Sequence, residues 1–303
     1  MPLLEAQYIN HKGQKIAFGD NEGLFLNEHD LFNFNWDVQT RGNRIVGVSR
    51  KGVKEHPLPI VIVASTRDRA CKFANDLFAI CESDLQANQK GRLVVNGYNL
   101  KCFVRGQDYS DWSDPSKCIK ISAKVIRDSV WYKTLDPITF GGESAPQIGT
   151  IEQVDINSAS LSGEDAEDPW TGGEKGYYHG YPYDYPSIRE EYHFINNEGA
   201  ALSWQAIIYG PASNISFSIG SNTYSVPGLQ IGTNERLEIT AKEAPDEKTI
   251  YKILSDETRV NCFSYRSQGI FTPIPTGDSL IAYESGLTWK LIPIVERSSP
   301  KWL

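Results

Sequence analysis

Carboxylates are the first residues to test for chemistry. Asp108, Asp111 and Asp114 recur around Trp112, and Glu164, Asp165, Glu167 and Asp168 crowd ahead of Gly172-Gly173. Oxygen donors grouped on a loop suit calcium. Neither group has the Asp-x-Asp-x-Asp-Gly order of an EF-hand, and a solvated acidic loop has the same composition. Glu190 and Glu191 are adjacent. On a strand they point to opposite faces, whereas a glycosidase needs two carboxyl groups facing one cleft. His11, His29, His56, His179 and His193 are scattered singly, and a site needs a constellation. Cys71, Cys81, Cys102, Cys118 and Cys262 never form Cys-x-x-Cys. The chain has no Gly-x-Gly-x-x-Gly, no P-loop, no Gly-x-Ser-x-Gly and no His-Glu-x-x-His. The sequence thus assigns no catalytic residue, no cofactor and no metal, and the chain reads as a non-enzyme.

One group of side chains asks for a partner. Trp170, Tyr177, Tyr178, Tyr181, Tyr183 and Tyr185 lie together in a Gly-rich stretch. Aromatics presented this way stack on sugars or form protein contacts. They equally suit a loop folded over its own domain. The stretch around them, residues 141–190, holds 8 Gly, 4 Pro and 5 Tyr with almost no apolar periodicity. Its composition reads as a linker or arm.

Charge separates the same stretch from the rest. Of the net charge of −8, residues 1–140 contribute +3, residues 141–190 contribute −8 and residues 191–303 contribute −3. An acidic chain argues against nucleic acid as the main partner. No apolar run approaches the length of a membrane span. The first ten residues lack a basic start and a long apolar run, so a cytoplasmic origin is expected, with free thiols.

The elements that position these residues are mostly strands. Ile60–Val63 suits a buried strand, and Ser65 or Thr66 can cap a helix, with Asp68 placed to complete a box with Ser65. Ala70, Phe73, Ala74, Leu77, Phe78 and Cys81 then recur at helical spacing. Asn96-Gly97, flanked by Leu93–Val95 and Tyr98–Leu100, is a hairpin signal. Leu31–Trp36 alternates aromatic and Asn residues and reads as a strand, as does Arg44–Arg50. Cys118–Val125 alternates with Lys outside, and Val130-Trp131-Tyr132 follows. From Glu191 on, strands recur at Tyr192–Ile195, Leu202–Tyr209, Ile215–Ile219, Arg236–Ala241, Ile250–Leu254, Val260–Tyr265, Leu280–Tyr283 and Leu287–Val295. Short regular strands mean a sandwich or barrel. The fold class is mainly β with one helix. The domains expected are 1–140, a β-rich unit with the helix, 141–190, the acidic linker or arm, and 191–303, a β-sandwich.

Several small motifs carry a family likeness. Glu235-Arg236-Leu237-Glu238-Ile239-Thr240 precedes Thr249–Ile253 and Arg259-Val260-Asn261-Cys262-Phe263. Phe271–Leu280 and Trp289–Arg297 follow. This order resembles the C-terminal half of the distal tail protein (Dit) family of long, non-contractile-tailed, siphovirus-type phages. The helix, the hairpin at Gly91–Phe103 and the Val130-Trp131-Tyr132 exit are similar in layout to that family's ring-forming domain. Two features depart from it: Thr276-Gly277-Asp278-Ser279 replaces the usual Pro-Gly-Asn turn, and residues 141–190 have no counterpart.

The resemblance implies a hexameric ring of first domains below the tail tube, with galectin-like sandwiches projecting outward. It implies a structural hub of the tail tip or baseplate, located in the virion. Its partners would be copies of itself, the tail tube protein, a tail-associated tip protein and a receptor-binding protein held by an arm. The rival reading from the residues is a carbohydrate-binding module that recognises host polysaccharide.

Overall fold

The computed structural model describes residues 6–19, 23–26, 30–33, 37–49, 52–110, 119–141, 151–154, 191–242, 248–284 and 286–301. They fall into two compact units, Met1–Asp136 with Lys242–Glu247 and Pro293–Leu303, and Pro137–Ala241 with Lys248–Ile292. Among the described residues the chain is mainly β with one α-helix, as its periodicities indicate. Among the described residues no helix is long and apolar enough to cross a membrane.

In the first unit the strands are β1 (Ala6–Ile9), β2 (Lys15–Phe18), β3 (Gly23–Leu26), β4 (Asp37–Arg41), β5 (Arg44–Ser49) and β6 (Lys54–Val63). Helix α1 (Arg67–Ala87) follows, then β7 (Gly91–Val95), β8 (Tyr98–Ser110), β9 (Ile119–Arg127) and β10 (Trp131–Thr134). The order β1-β2-β3-β6-β9-β8-β7 returns to β1, so seven strands close a barrel. Strict alternation builds its wall: along β9, Ile119, Ile121, Ala123 and Val125 are buried while Lys120, Ser122 and Lys124 are exposed. Leu58, Ile60 and Ile62 of β6 and Leu100, Cys102 and Val104 of β8 alternate inward in the same way. Each such side chain contributes about 1.5–3 kcal/mol when fully buried. One seam is thin, since β2 meets β3 through the single parallel pair Phe18↔Leu24.

The helix starts one residue later than a Ser65 cap would place it. Thr66 is the N-cap and accepts from the Arg69 amide at 3.4 Å, which leaves Asp68 outside a capping box. Its buried stripe is Ala70, Ala74, Leu77, Cys81 and Asp84, and it packs against β2, β3, β6 and β8. Phe78 falls one position off that stripe and is half exposed. The helix ends at Asn88, whose φ of 49° supplies a left-handed cap. Asn96 (φ 49°) and Gly97 (φ 77°) turn β7 into β8 as the hairpin signal indicates.

The expected strand at Leu31–Trp36 does not form where the chain is described. Leu31 and Phe32 lie in a turn closed by the Asn33 amide donating to the Asp30 carbonyl at 2.8 Å. Asp30 and Asn33 favour that turn, and alternation over so few residues does not outweigh them. Phe34 and Trp36 lie outside the described residues.

The second unit holds β11 (Ile138–Phe140), β12 (Ile151–Val154), β13 (Glu191–Asn196), β14 (Ser203–Tyr209), β15 (Ala212–Ile219), β16 (Asn222–Ile231), β17 (Arg236–Ala241), β18 (Lys248–Ile253), β19 (Arg259–Asn261) and β20 (Gly277–Tyr283). The start of β21 (Thr288–Arg297) belongs to it as well. One sheet runs β19-β18-β17-β14-β21-β11 and the other β12-β13-β20-β15-β16. Their inner faces meet through aromatics. Trp204 of β14 packs edge-on to Phe217 and Tyr224, Trp289 of β21 lies 4.5 Å from Phe217, and Phe140 stacks on Trp289 at 4.5 Å. This is the expected sandwich. From Pro293 on, β21 belongs to the first unit and pairs with β10, Trp131 opposite Arg297 and Thr134 opposite Ile294.

Two strands run against their local composition. Pro227-Gly228 reads as a turn but sits inside β16, an edge strand. There the register with β15 shifts, Gly228 takes φ 73°, and its amide donates to Asn214 Oδ1 at 3.2 Å. An edge bulge is where a strand tolerates proline. Ile151–Val154 pairs with β13 despite the linker-like composition around it.

Candidate functional site: a surface built for assembly

The residues singled out for partner contact, Trp170, Tyr177, Tyr178, Tyr181, Tyr183 and Tyr185, lie outside the described residues. So do Glu164, Asp165, Glu167, Asp168, Asp111 and Asp114. Asp108 is not in a loop but in β8, its backbone opposite Ser122. Among the described residues no three His, Cys, Asp or Glu side chains group as metal ligands.

Two polar clusters inside the first unit have the residue types of active sites. Asp84 is fully buried on α1. It accepts from Tyr8 Oη at 2.6 Å, from the His11 amide at 2.8 Å and lies 2.6 Å from His11 Nδ1. The result ties helix, β1 and the β1–β2 turn together. An Asp–His pair can orient a base, but catalysis also needs a nucleophile and a place for substrate. His11 does not line the groove described below. Burial pushes the neighbouring Cys81 and Cys102 thiols up to about 12, so both stay protonated and inert.

The second cluster sits where β6 and β9 pair. Arg127 is buried and donates from Nε to His56 Nε2 at 2.9 Å and from Nη1 to the Ser129 carbonyl at 2.7 Å. His56 Nδ1 faces Asp30 Oδ1 at 3.4 Å. Burial, then the Arg127 charge, holds His56 below the ordinary histidine range. In the second unit His193 is half-buried and lies 2.9 Å from Asp278, a hydrogen-bonded strand residue as its position indicates.

The surface is more telling than these interiors. β4 and β5 form a ribbon that pairs with each other and with no other described strand. Val38 is 50% exposed, Ile45 67% and Val46 61%. β5 bulges at Val46, since Gln39 pairs with Gly47 and Thr40 with Ile45, and the pairing puts Val38 and Ile45 on one face of the ribbon. An exposed apolar face on a two-stranded ribbon is ill suited to water. Isolated two-stranded hairpins are also marginal in water, so this one calls for cover. Val53, just beyond it, is 71% exposed. Beside the thin β2–β3 seam a groove of about 400 Å³ opens, lined by Ile16, Leu24, Phe73 and Ile80, with Lys15 and Asp76 among its polar groups. The edge of β2 from Lys15 to Ala17 carries no described strand on that side. An unpaired edge beside an apolar groove is a template for an added strand. The sequence signalled the β5 strand but not its exposure; two adjacent β-branched residues after Gly42-Asn43 were the available clue.

No protein-family model matches the chain, and no curated protein sequence does. Solved structures do match in fold. A chain of the phage P2 baseplate in its activated conformation with calcium aligns at TM-score 0.57 and 11% identity, covering 99% of this chain and 100% of that one. The corresponding strontium form aligns at TM-score 0.58 and 11% identity, covering 98% and 100%. The Dit protein of phage SPP1, described as a paradigm of the hub adsorption apparatus in phages infecting Gram-positive bacteria, aligns at TM-score 0.51 and 9% identity, covering 97% and 99%. At these identities the likeness is one of fold.

Proposed function

We propose that this chain is a structural hub protein of a phage tail tip. It works in the virion as a ring of copies, and six is the number its family resemblance implies. The observation that carries this reading is the β4–β5 ribbon, with Val38, Ile45 and Val46 exposed and no other described strand paired to it, on a fold shared end to end with the SPP1 hub protein. Copies of the chain are its cover: a heterologous contact between an arm and a neighbour's barrel generates a ring when the rotation closes. The strandless β2 edge and its groove are the acceptor this reading favours. The ring joins the tail tube protein to a tail-associated tip protein, and the acidic, Tyr-rich residues 141–190 suit an arm holding a receptor-binding protein. No step requires catalysis.

The carbohydrate-binding alternative gains no specific support. Among the described residues the sandwich spends its tryptophans inside, Trp204 and Trp289 both being fully buried. The test is light scattering and negative-stain microscopy of the purified chain. Rings that dissociate when Val38, Ile45 and Val46 are all changed to Ser support the proposal. Monomers at high concentration in the unaltered chain would overturn it.

A further inference from the structure

His56 lies between two charges of opposite sign on two different elements. Arg127 comes from β9, and its Nε–H can only donate, because a guanidinium keeps its proton in proteins. His56 Nε2 must therefore be a bare lone pair, and the proton of the neutral ring sits on Nδ1. That nitrogen faces Asp30, 3.4 Å away and short of a good hydrogen bond. Lys54, on the same strand as His56, adds further positive charge nearby.

A proton added to Nε2 would stand between two donors. The 2.9 Å bond to Arg127 could not survive it, and the buried guanidinium would keep the Ser129 carbonyl. The imidazolium would instead be drawn to Asp30, with which it can close a charge-assisted bond. Asp30 begins the turn Asp30–Asn33, pinned by the buried Leu31, and this turn precedes the β4–β5 ribbon. The ring thus stands between Arg127 of the barrel wall and a turn that the β4–β5 ribbon follows in sequence.

We propose that His56 is a proton-operated latch for the β4–β5 ribbon: neutral, it holds Arg127 of the barrel; protonated, it releases Arg127, pairs with Asp30 and reseats the arm. This inference rests on the ribbon being the assembly arm, and it adds that acidification regulates that arm.

The experiment uses the full chain at about pH 7.5 and about pH 5, the lower point set well beneath the ordinary histidine range because burial and Arg127 hold His56 below it. Imidazole nitrogen NMR should show the Nδ1–H tautomer at the higher pH. Hydrogen exchange, corrected for intrinsic rates, should lose protection severalfold over residues 37–49 on acidification, while α1 and β7 stay protected. His56→Gln, whose amide oxygen can still accept from Arg127 but cannot titrate, should abolish the change. Asp30→Asn, altering a partly exposed group, should abolish it independently. An Nε2–H tautomer at the higher pH would overturn the latch, as would an unchanged ribbon in the unaltered chain or an undiminished response in either variant. Light scattering in parallel separates this from the assembly reading: rings insensitive to pH sink the latch alone, and no rings at either pH sink the assembly.

Discussion

Tyr8 and His11 converge on Asp84 from β1 and the turn after it, and Gly91 leaves the room they need. A Cβ at Gly91 would stand 2.7 Å from Tyr8 Cζ, closer than real contacts allow. Tyr8→Phe removes one bond from a buried carboxylate and should cost about 1–3 kcal/mol in urea unfolding. Gly91→Ala should cost a similar amount by pushing the ring aside, about 1–3 kcal/mol for overpacking. The two share one contact, so the double variant should be clearly less than additive. Full additivity would show that Gly91 does not act through Tyr8. Thiol chemistry tests the same neighbourhood: native labelling at about pH 8 should spare Cys81 and Cys102, both buried and pushed up to about 12. For His56 the sign is fixed by its lowered value. The unfolded chain binds the proton more tightly than the folded chain does, so stability present at neutral pH is lost as pH falls through the ordinary histidine range. Melting points at about pH 7.5 and 5.5 should separate, and by less in His56→Gln.

Among the elements, the β4–β5 ribbon and helix α1 make opposite demands on a mutation. The helix buries Leu77 almost completely, so Leu77→Ala should cost about 2–5 kcal/mol wherever the chain is in its assembly state. Replacing Val38, Ile45 and Val46 by Ser should leave the melting point of dilute protein nearly unchanged, since exposed substitutions stay within about 0.5 kcal/mol, while removing oligomers. A ribbon that mattered only for folding would show the reverse. Helix α1 was legible because its stripe repeats over about four turns, and β9 because Lys alternates with buried residues. What could not be read is what depends on distant pairing. Nothing local in β6 or β9 says that they are neighbours, or that β8 returns to β9 and closes a barrel. Pro227-Gly228 has true turn chemistry, and only its place on a sheet edge lets β16 run through it. Locally Asp84 is one more charge on a helix. Its partners come from β1 and the turn after it, some seventy positions upstream, so its burial has no sequence signature. The ribbon's exposure had the same origin: apolar strands announce burial, and which chain buries them is not written locally.

At the scale of the whole chain, the first unit contains both ends of the described sequence, with Pro293–Leu303 counted with residues 1–136. The pairing of β10 with Ile294–Arg297 supplies that link, and the Leu135 amide also donates to the Pro293 carbonyl at 2.9 Å. Asn96 at the β7–β8 turn donates to the Lys301 carbonyl at 3.2 Å, so the tail reaches the hairpin as well. Val295 and Pro300 are buried there, as is Trp131 on the partner strand. A chain ending at Ile292 would lose all of these while keeping every residue assigned to the second unit. Its backbone groups on β10 would lose their partners, and unpaired buried groups cost about 1–3 kcal/mol each. Deuterium exchange of that truncated chain should therefore show lost protection across β7, β8 and β10, all far from the cut in sequence. The sandwich, held by Trp204, Phe217, Tyr224 and Trp289, should keep its slow amides. Equal loss in both units would mean that they fold as one cooperative body, and no loss in the first would mean that its terminal strand is dispensable. Ring formation in the same samples would then follow the first unit, because the ribbon belongs to it and its seating requires the barrel to be intact.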